Sequence, residues 1–124
     1  MNLYQNKNKI LREIKPSQFS YEKDIQKIVE SNIQEIFGYD LVRSEFPLKN
    51  FRIDSLCFDN EVKSFVIIEY KKGTDHSLID QGFSYLSMVK NNKADCVMEY
   101  NEKFNSNLKR SDIEWDSLKV VFIS

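Results

Sequence analysis

Three β-rich segments joined by very short turns occupy the middle of this chain and leave few ways for it to fold. They are LVRSEF at 41–46, FRIDSLCF at 51–58 and SFVIIEYK at 64–71. Turn-forming Pro, Asn and Asp residues lie between them, at 47–50 and 59–61. Because connections this short join only antiparallel neighbours, the three segments predict an antiparallel meander.

Apolar residues at helical spacing predict helices on both sides of this meander. Between residues 20 and 37 they recur every three or four positions, with Ser20 as the predicted N-cap and Gly38 just past the end. Residues 76–89 show the same spacing and predict a second helix. The order of helices and strands indicates an α/β domain.

The remaining segments predict two further strands and an N-terminal addition. DCVMEY at 95–100 and LKVVFIS at 118–124 are apolar runs of strand length. Residues 1–19 fit an added strand, a short helix or a loose arm. With 124 residues, 41 % of them hydrophobic, the chain is expected to form a single domain over 1–124. A strand that runs to the last residue is typical of a piece of a longer protein.

Composition narrows the classes of function. The net charge of −1 and pI of about 5.9 give no overall positive field, so nucleic-acid binding would rest on local patches. No apolar stretch approaches the roughly 20 residues that span a bilayer, which excludes a membrane transporter. Cys57 and Cys96 lie in predicted strands, and no leader peptide is visible, so we expect reduced thiols in the cytoplasm. One histidine and no C-x-x-C exclude zinc, leaving oxygen-bound Mg²⁺ or Mn²⁺.

Glu69 and Lys71 are the first candidate site residues. Alternation along a strand places both on the same face, at the polar end of the apolar run FVIIEYK. A carboxylate beside an ammonium can bind a divalent ion and orient or deprotonate a water. The alternative is a salt bridge at the end of a strand, near the surface.

Asp54 interrupts the neighbouring apolar strand, where alternation places it on one face with Arg52, Leu56 and Phe58. A lone buried carboxylate is costly, and a metal shared with a carboxylate on the adjacent strand would offset that cost. A salt bridge to Arg52 or Arg43 is the alternative.

The predicted helices add polar residues that face the sheet. At about 100° per residue, Glu22 lies in the middle of the first helix's apolar face, either in a wet first turn or directed at charge on the sheet. Gln81 and Tyr85 share a face of the second helix, where they either contact a substrate or form an ordinary helix–sheet contact. His76 opens that helix, as a solvated residue or a phosphate contact.

These residues, in this order, resemble the PD-(D/E)XK nuclease superfamily in its RecB-like branch: Glu22, the aspartate of RIDSL, E-Y-K at 69–71 and Q-x-x-x-Y at 81–85. YEKDIQKIVESNIQEIFG, FRIDSLCFD and FVIIEYKKG are also similar to archaeal and actinobacterial mismatch-endonuclease domains and to bacterial proteins labelled predicted transport proteins. The resemblance covers residues 20 to 100. It departs from the name-giving motif at Ile53, where proline is usual.

The resemblance implies a restriction-endonuclease-like core, a mixed central sheet flanked by helices. It implies that Asp54 and Glu69 bind Mg²⁺ or Mn²⁺, with Glu22 as a ligand directly or through water. It also implies that Lys71 activates the water and that Gln81 and Tyr85 complete the site.

The expected function is therefore a Mg²⁺-dependent nuclease that hydrolyses phosphodiester bonds in DNA. Its expected partners are nucleic acid and either a second copy or an additional C-terminal domain. The alternative is a non-catalytic binding or regulatory module that keeps the nuclease fold, which the acidic pI and small size favour.

Overall fold

The computed structural model describes residues 18–71 and 77–124, and only the backbone of residues 18–20. The predictions for residues 1–17 and for His76 lie outside the described residues. The helices are α1 (Gln18–Ser31), α2 (Ile33–Phe37), α3 (Leu78–Lys90) and α4 (Lys93–Phe104), followed by two 3₁₀ turns, Arg110–Asp112 and Trp115–Ser117. The strands are β1 (Asp40–Leu48), β2 (Phe51–Asp59), β3 (Ser64–Tyr70) and β4 (Lys119–Ile123).

The four strands form one mixed sheet in the order β1-β2-β3-β4. β1, β2 and β3 pair antiparallel, which confirms the predicted meander. β4 pairs parallel to β3, with Ile67 opposite Val120. A parallel neighbour requires a long crossover, and α3 and α4 lie within it. The chain therefore has an α/β fold, with a four-stranded mixed sheet flanked by helices, as the sequence predicted.

Two apolar clusters lie on opposite faces of the sheet, and β3 contributes to both. Phe65 and Ile67 pack with residues of α3 and α4, whereas Val66, Ile68 and Tyr70 pack with residues of α1 and α2. Every residue of β3 is buried. Because β3 is covered on both faces, a carboxylate on this strand is removed from solvent unless a cleft reaches it.

The first helix differs from its prediction in two details. It begins at Gln18, so Ser20 lies inside α1 and is not the N-cap. The helix is also interrupted at Asn32, whose side-chain amide donates to the carbonyl oxygen of Ile28 at 2.7 Å. This local bond competes with continuation of the helix. α2 then ends at Gly38, whose φ of +75° suits glycine, as the sequence predicted.

Residues 95–100 form part of helix α4, so the predicted strand there is wrong, and Cys96 lies in a helix. Cys96, Val97 and Tyr100 contact the core on the α3 side of the sheet, whereas Met98 is 53 % exposed. This is the burial pattern of a helix with one apolar face. A run of six residues is too short for its periodicity to distinguish a strand from a helix.

None of the helices in the described part of the chain is both long and apolar enough to cross a membrane.

Candidate active site

A cleft of about 230 Å³ lies at the end of the sheet where β2 and β3 stop pairing. It contains five of the six predicted site residues, and the sixth, Gln81, lies outside it. The lining residues come from α1, β2, β3, the residue that follows β3, and α3: Glu22, Lys23, Gln26, Arg52, Asp54, Glu69, Tyr70, Lys71 and Tyr85.

Backbone amides of the two adjacent strands hold the side chains of Asp54 and Glu69 close together. The last ladder pair between β2 and β3 is Ser55 with Ile68. One residue further on, the amide of Asp54 donates to Oε2 of Glu69 at 2.8 Å, and the amide of Tyr70 donates to Oδ2 of Asp54 at 3.1 Å. The two carboxylates thus accept the bonds that strand pairing would otherwise use, and this fixes their positions.

The alternation of side chains along β2 is interrupted at Asp54. Ile53 and Leu56 are three residues apart, yet both pack in the cluster on the α3 side. The opposing β1 residue, Glu45, has a φ of +55°, a value typical of an irregularity in a strand. The prediction that one uninterrupted face runs from Arg52 to Phe58 is therefore wrong, although Leu56 and Phe58 do share a face.

Glu69 is a buried acid whose environment favours its neutral form. Only 2 % of the Glu69 surface is exposed to solvent. Burial and then the charge of Asp54 raise the pKa of Glu69 to about 7, against the smaller opposing effects of the Asp54 amide, the Tyr85 hydroxyl and Lys71. A cation bound beside Glu69 would offset both effects, because its positive charge favours the ionised carboxylate.

The pKa of Asp54 is also raised, first by burial and then by the negative charge of Glu45. The Tyr70 amide, Arg52 and Lys23 act in the opposite direction. The predicted alternative was a salt bridge from Asp54 to Arg52 or Arg43, but both arginines pair with glutamates instead. Arg52 Nε lies 3.7 Å from Glu45, and Arg43 donates to Glu99 at 3.0 Å.

The donor set fits a hard divalent ion with few protein ligands. Two adjacent carboxylates of raised pKa, buried Glu69 and half-buried Asp54, are suited to Mg²⁺ or Mn²⁺, which often takes one or two carboxylates and completes its shell with water and phosphate. Within residues 18–71 and 77–124, no three His, Cys, Asp or Glu side chains group closely enough to hold an ion. Glu22 therefore lines the cleft without forming a three-acid site with Asp54 and Glu69.

Tyr85 and Gln81 have different positions although they share a helix face. The Tyr85 hydroxyl donates to Oε1 of Glu69 at 2.8 Å, and its ring packs edge-on against Phe51. Gln81 donates to the hydroxyl of Ser77 at 2.9 Å and lines a neighbouring cleft of about 360 Å³. Lys71 and Tyr85 line both clefts, so Gln81 lies beside the main site.

Gln26 is a buried residue of the site that the sequence analysis did not identify. It is 5 % exposed, and its Nε2 lies 2.9 Å from the carbonyl oxygen of Asp54, 3.0 Å from Glu30 and 3.1 Å from Glu45. Its spacing was a usable signal, because Glu22, Gln26 and Glu30 are four residues apart and lie in one row on α1.

A buried polar chain continues behind Asp54. The hydroxyl of Ser55 donates to Oε2 of Glu30 at 2.5 Å and lies 2.9 Å from the hydroxyl of Tyr70. Burial raises the pKa of Tyr70, so its hydroxyl remains protonated. These contacts attach α1 to both strands that carry the acids.

The comparisons with known proteins give one relative. The chain is 47 % identical, over all 124 residues, to an uncharacterized protein of Haemophilus influenzae (strain ATCC 51907 / DSM 11121 / KW20 / Rd). The chain spans 41 % of that protein's length. No family model matches the sequence, and no solved structure matches it.

Proposed function

We propose that this domain is a metal-dependent nuclease of the PD-(D/E)XK type that hydrolyses phosphodiester bonds in DNA. The observation that carries the proposal is the pairing of the buried Glu69 carboxylate with half-buried Asp54, through the Asp54 amide, with Lys71 in the same cleft. A mixed sheet flanked by helices is also what a restriction-endonuclease-like core requires.

Asp54 and Glu69 would hold Mg²⁺ or Mn²⁺, and Glu22 would contribute from the cleft wall through water. When bound, the ion supplies a Lewis acid that polarises a phosphate and lowers the pKa of a water. The amides of Asp54 and Tyr70 keep both carboxylates oriented before any ligand arrives. Lys71 would stabilise the negative charge that develops on the phosphate or take the proton of the attacking water.

Tyr85 and Gln81 would act on either side of Lys71. The Tyr85 hydroxyl, already bonded to Glu69, would hold that carboxylate in its charged form. Gln81, in the adjoining cleft, would contact a nucleotide next to the reacting phosphate. We further propose a cytoplasmic location, which the two free buried cysteines support.

A non-catalytic module that keeps this fold is the second candidate. It is favoured by the grouping of only two acids among the described residues, where the resemblance implies three. In that case the domain would bind nucleic acid or regulate a partner, such as a second copy or another domain of a longer protein.

Calorimetry with Mn²⁺ and hydrolysis of labelled single- and double-stranded DNA separate the two candidates. We expect Asp54→Ala to lose both metal binding and hydrolysis, whereas Lys71→Ala keeps metal binding and loses hydrolysis. Asp116→Ala and Lys90→Ala are matched controls outside the cleft, and both should behave as wild type. Wild-type protein that neither binds Mn²⁺ nor cleaves DNA would favour the non-catalytic module.

A further inference from the structure

Two cations from different elements meet at one carboxylate on the rim of the cleft. Nζ of Lys23, on α1, bonds to Oε1 of Glu45, and Nε of Arg52, on β2, lies 3.7 Å from the same oxygen. Both cationic side chains also line the cleft that contains Asp54 and Glu69. The rim of the cleft therefore has two positive charges next to its paired acids.

Glu45 is fixed in a way that holds these cations in position. Its φ of +55° departs from regular strand geometry, and Nε2 of Gln26 donates to its other oxygen, Oε2, at 3.1 Å. The side chains of Lys23 and Arg52 remain 33 % and 57 % exposed, so both reach solvent. One carboxylate thus holds two cations that reach solvent at the rim of the cleft.

The charge of the whole molecule makes such a rim necessary for a polyanionic substrate. The chain carries a net charge of −1, so it has no general attraction for DNA. The acids of the cleft would also repel a phosphate unless cations lie beside them. Arg52 contacts Glu45 most closely through Nε, so binding a phosphate with its terminal nitrogens does not require that contact to break.

We propose that Lys23 and Arg52 form a binding site for a backbone phosphate of the nucleic acid, adjacent to the phosphate that reacts. The proposal rests on the nuclease function proposed above, since the reacting phosphate is taken to lie between Asp54 and Lys71. Glu45 positions the two cations and does not itself contact the substrate. Its negative charge weakens phosphate binding while its geometry supports the site.

The salt dependence of DNA binding tests this site directly. Fluorescence anisotropy of a labelled single-stranded 12-mer, with Ca²⁺ present and from 0.05 to 0.5 M NaCl, gives the slope of log affinity against log salt. Each phosphate contact with a single strand contributes a slope of about −0.7. Because the two cations share one phosphate, the variant Lys23→Ala/Arg52→Ala should lose about 0.7 from the slope, which corresponds to about fivefold weaker binding at 0.1 M when referred to 1 M salt.

Lys90→Ala/Lys103→Ala is the matched control, because it removes two exposed positive charges from α3 and α4, outside the cleft. Its slope should remain that of wild type. Glu45→Gln separates substrate binding from structural support, since the proposal expects it to bind the 12-mer more tightly. If the double variant does not fold, Lys23→Gln and Arg52→Gln tested singly should each lose a share of that 0.7.

A cleft variant whose slope changes no more than the control's overturns the proposal, whether or not the protein cleaves DNA. Weaker or unchanged binding of the 12-mer by Glu45→Gln also overturns the proposal. Lys23 and Arg52 would then serve only to pair with Glu45 and hold β1 in place. A protein that neither binds Mn²⁺ nor hydrolyses DNA, but loses the slope in the double variant, retains this phosphate site and refutes only the nuclease.

Discussion

The backbone amide of Asp54 donates a 2.8 Å hydrogen bond to Oε2 of Glu69, one residue past the last ladder pair of β2 and β3. A carboxylate thus takes the place of a strand partner at this point of the sheet. The arrangement keeps buried Glu69 beside half-buried Asp54 even without a ligand, and their like charges repel. The free energy of unfolding should therefore depend on the charges of this pair.

Asp54→Asn should stabilise the metal-free protein at pH 8. The substitution removes one of two repelling charges, while the amide oxygen can still accept the 3.1 Å bond from the Tyr70 amide. We expect a gain of roughly 1–2 kcal/mol, visible as a higher melting temperature in EDTA. Asp116→Asn, at an exposed position, should change little. A lower melting temperature for Asp54→Asn would show that the Asp54 charge supports the fold.

The stability of the metal-free protein should fall as pH rises from about 4.5 to about 7. Glu69 has a pKa near 7 in the folded chain and an ordinary value of 4.5, so between these values the folded state binds one more proton. Stability is then fully present below the ordinary pKa and is lost as pH rises through the folded one, by about 3 kcal/mol in total.

Urea unfolding of wild type and Glu69→Gln across this pH range checks the assignment. Most of the pH dependence of the unfolding free energy should be absent from Glu69→Gln, because glutamine does not titrate. Mn²⁺ should reverse the loss above pH 7 by binding the charged pair. Parallel curves for the two proteins would assign the dependence to other groups.

The sequence predicted the parts of this fold that depend on local pattern. The meander from 41 to 71 followed from alternation and short turns, and strand alternation brought Glu69 and Lys71 to one cleft. Helix α4 was missed because six apolar residues suit either kind of element. Its identity is decided by packing against distant residues such as Phe58 and Phe65.

The contacts made by the supporting residues of the cleft could not be predicted from pattern, for a different reason. Glu45 contacts Lys23 and Arg52 at the rim of the cleft, and its backbone adopts a positive φ, which a sequence rule assigns to glycine or asparagine. Gln26 matters through contacts with residues 18 to 28 positions away in the chain. Such contacts depend on how α1 sits on the sheet, so the four-residue spacing along α1 could mark Gln26 but could not show its partners.

Gln26→Ala should destabilise the protein by about 2–3 kcal/mol. The change leaves the carbonyl oxygen of Asp54 and the carboxylates of Glu30 and Glu45 without their shared donor in a buried place. Gln34→Ala is the control, because Gln34 is exposed and its bond to Asp40 lies at the surface. Urea unfolding that gives equal losses for both variants would contradict a supporting role for Gln26.

Tyr85→Phe should weaken Mn²⁺ binding at pH 7 but not at pH 9. The Tyr85 hydroxyl donates to Oε1 of Glu69 at 2.8 Å and favours the charged carboxylate, so its removal raises the pKa of Glu69 above 7. A hydrogen bond from a half-buried hydroxyl to a charged group contributes about 1.5 kcal/mol, so stronger competition from protons should reduce the affinity about sevenfold at pH 7.

At pH 9 Glu69 is ionised in both proteins, and the two affinities should converge. The Phe51 ring contact survives the substitution, so the fold should melt as wild type within about 1 kcal/mol. Tyr100→Phe provides the control, since Tyr100 packs in the core on α4, away from both acids. Calorimetry with Mn²⁺ at pH 7 and pH 9 measures the affinities of the variants and of wild type. A loss of affinity that persists at pH 9 would mean that the hydroxyl acts on the ion or on the shape of the cleft and not through the pKa of Glu69.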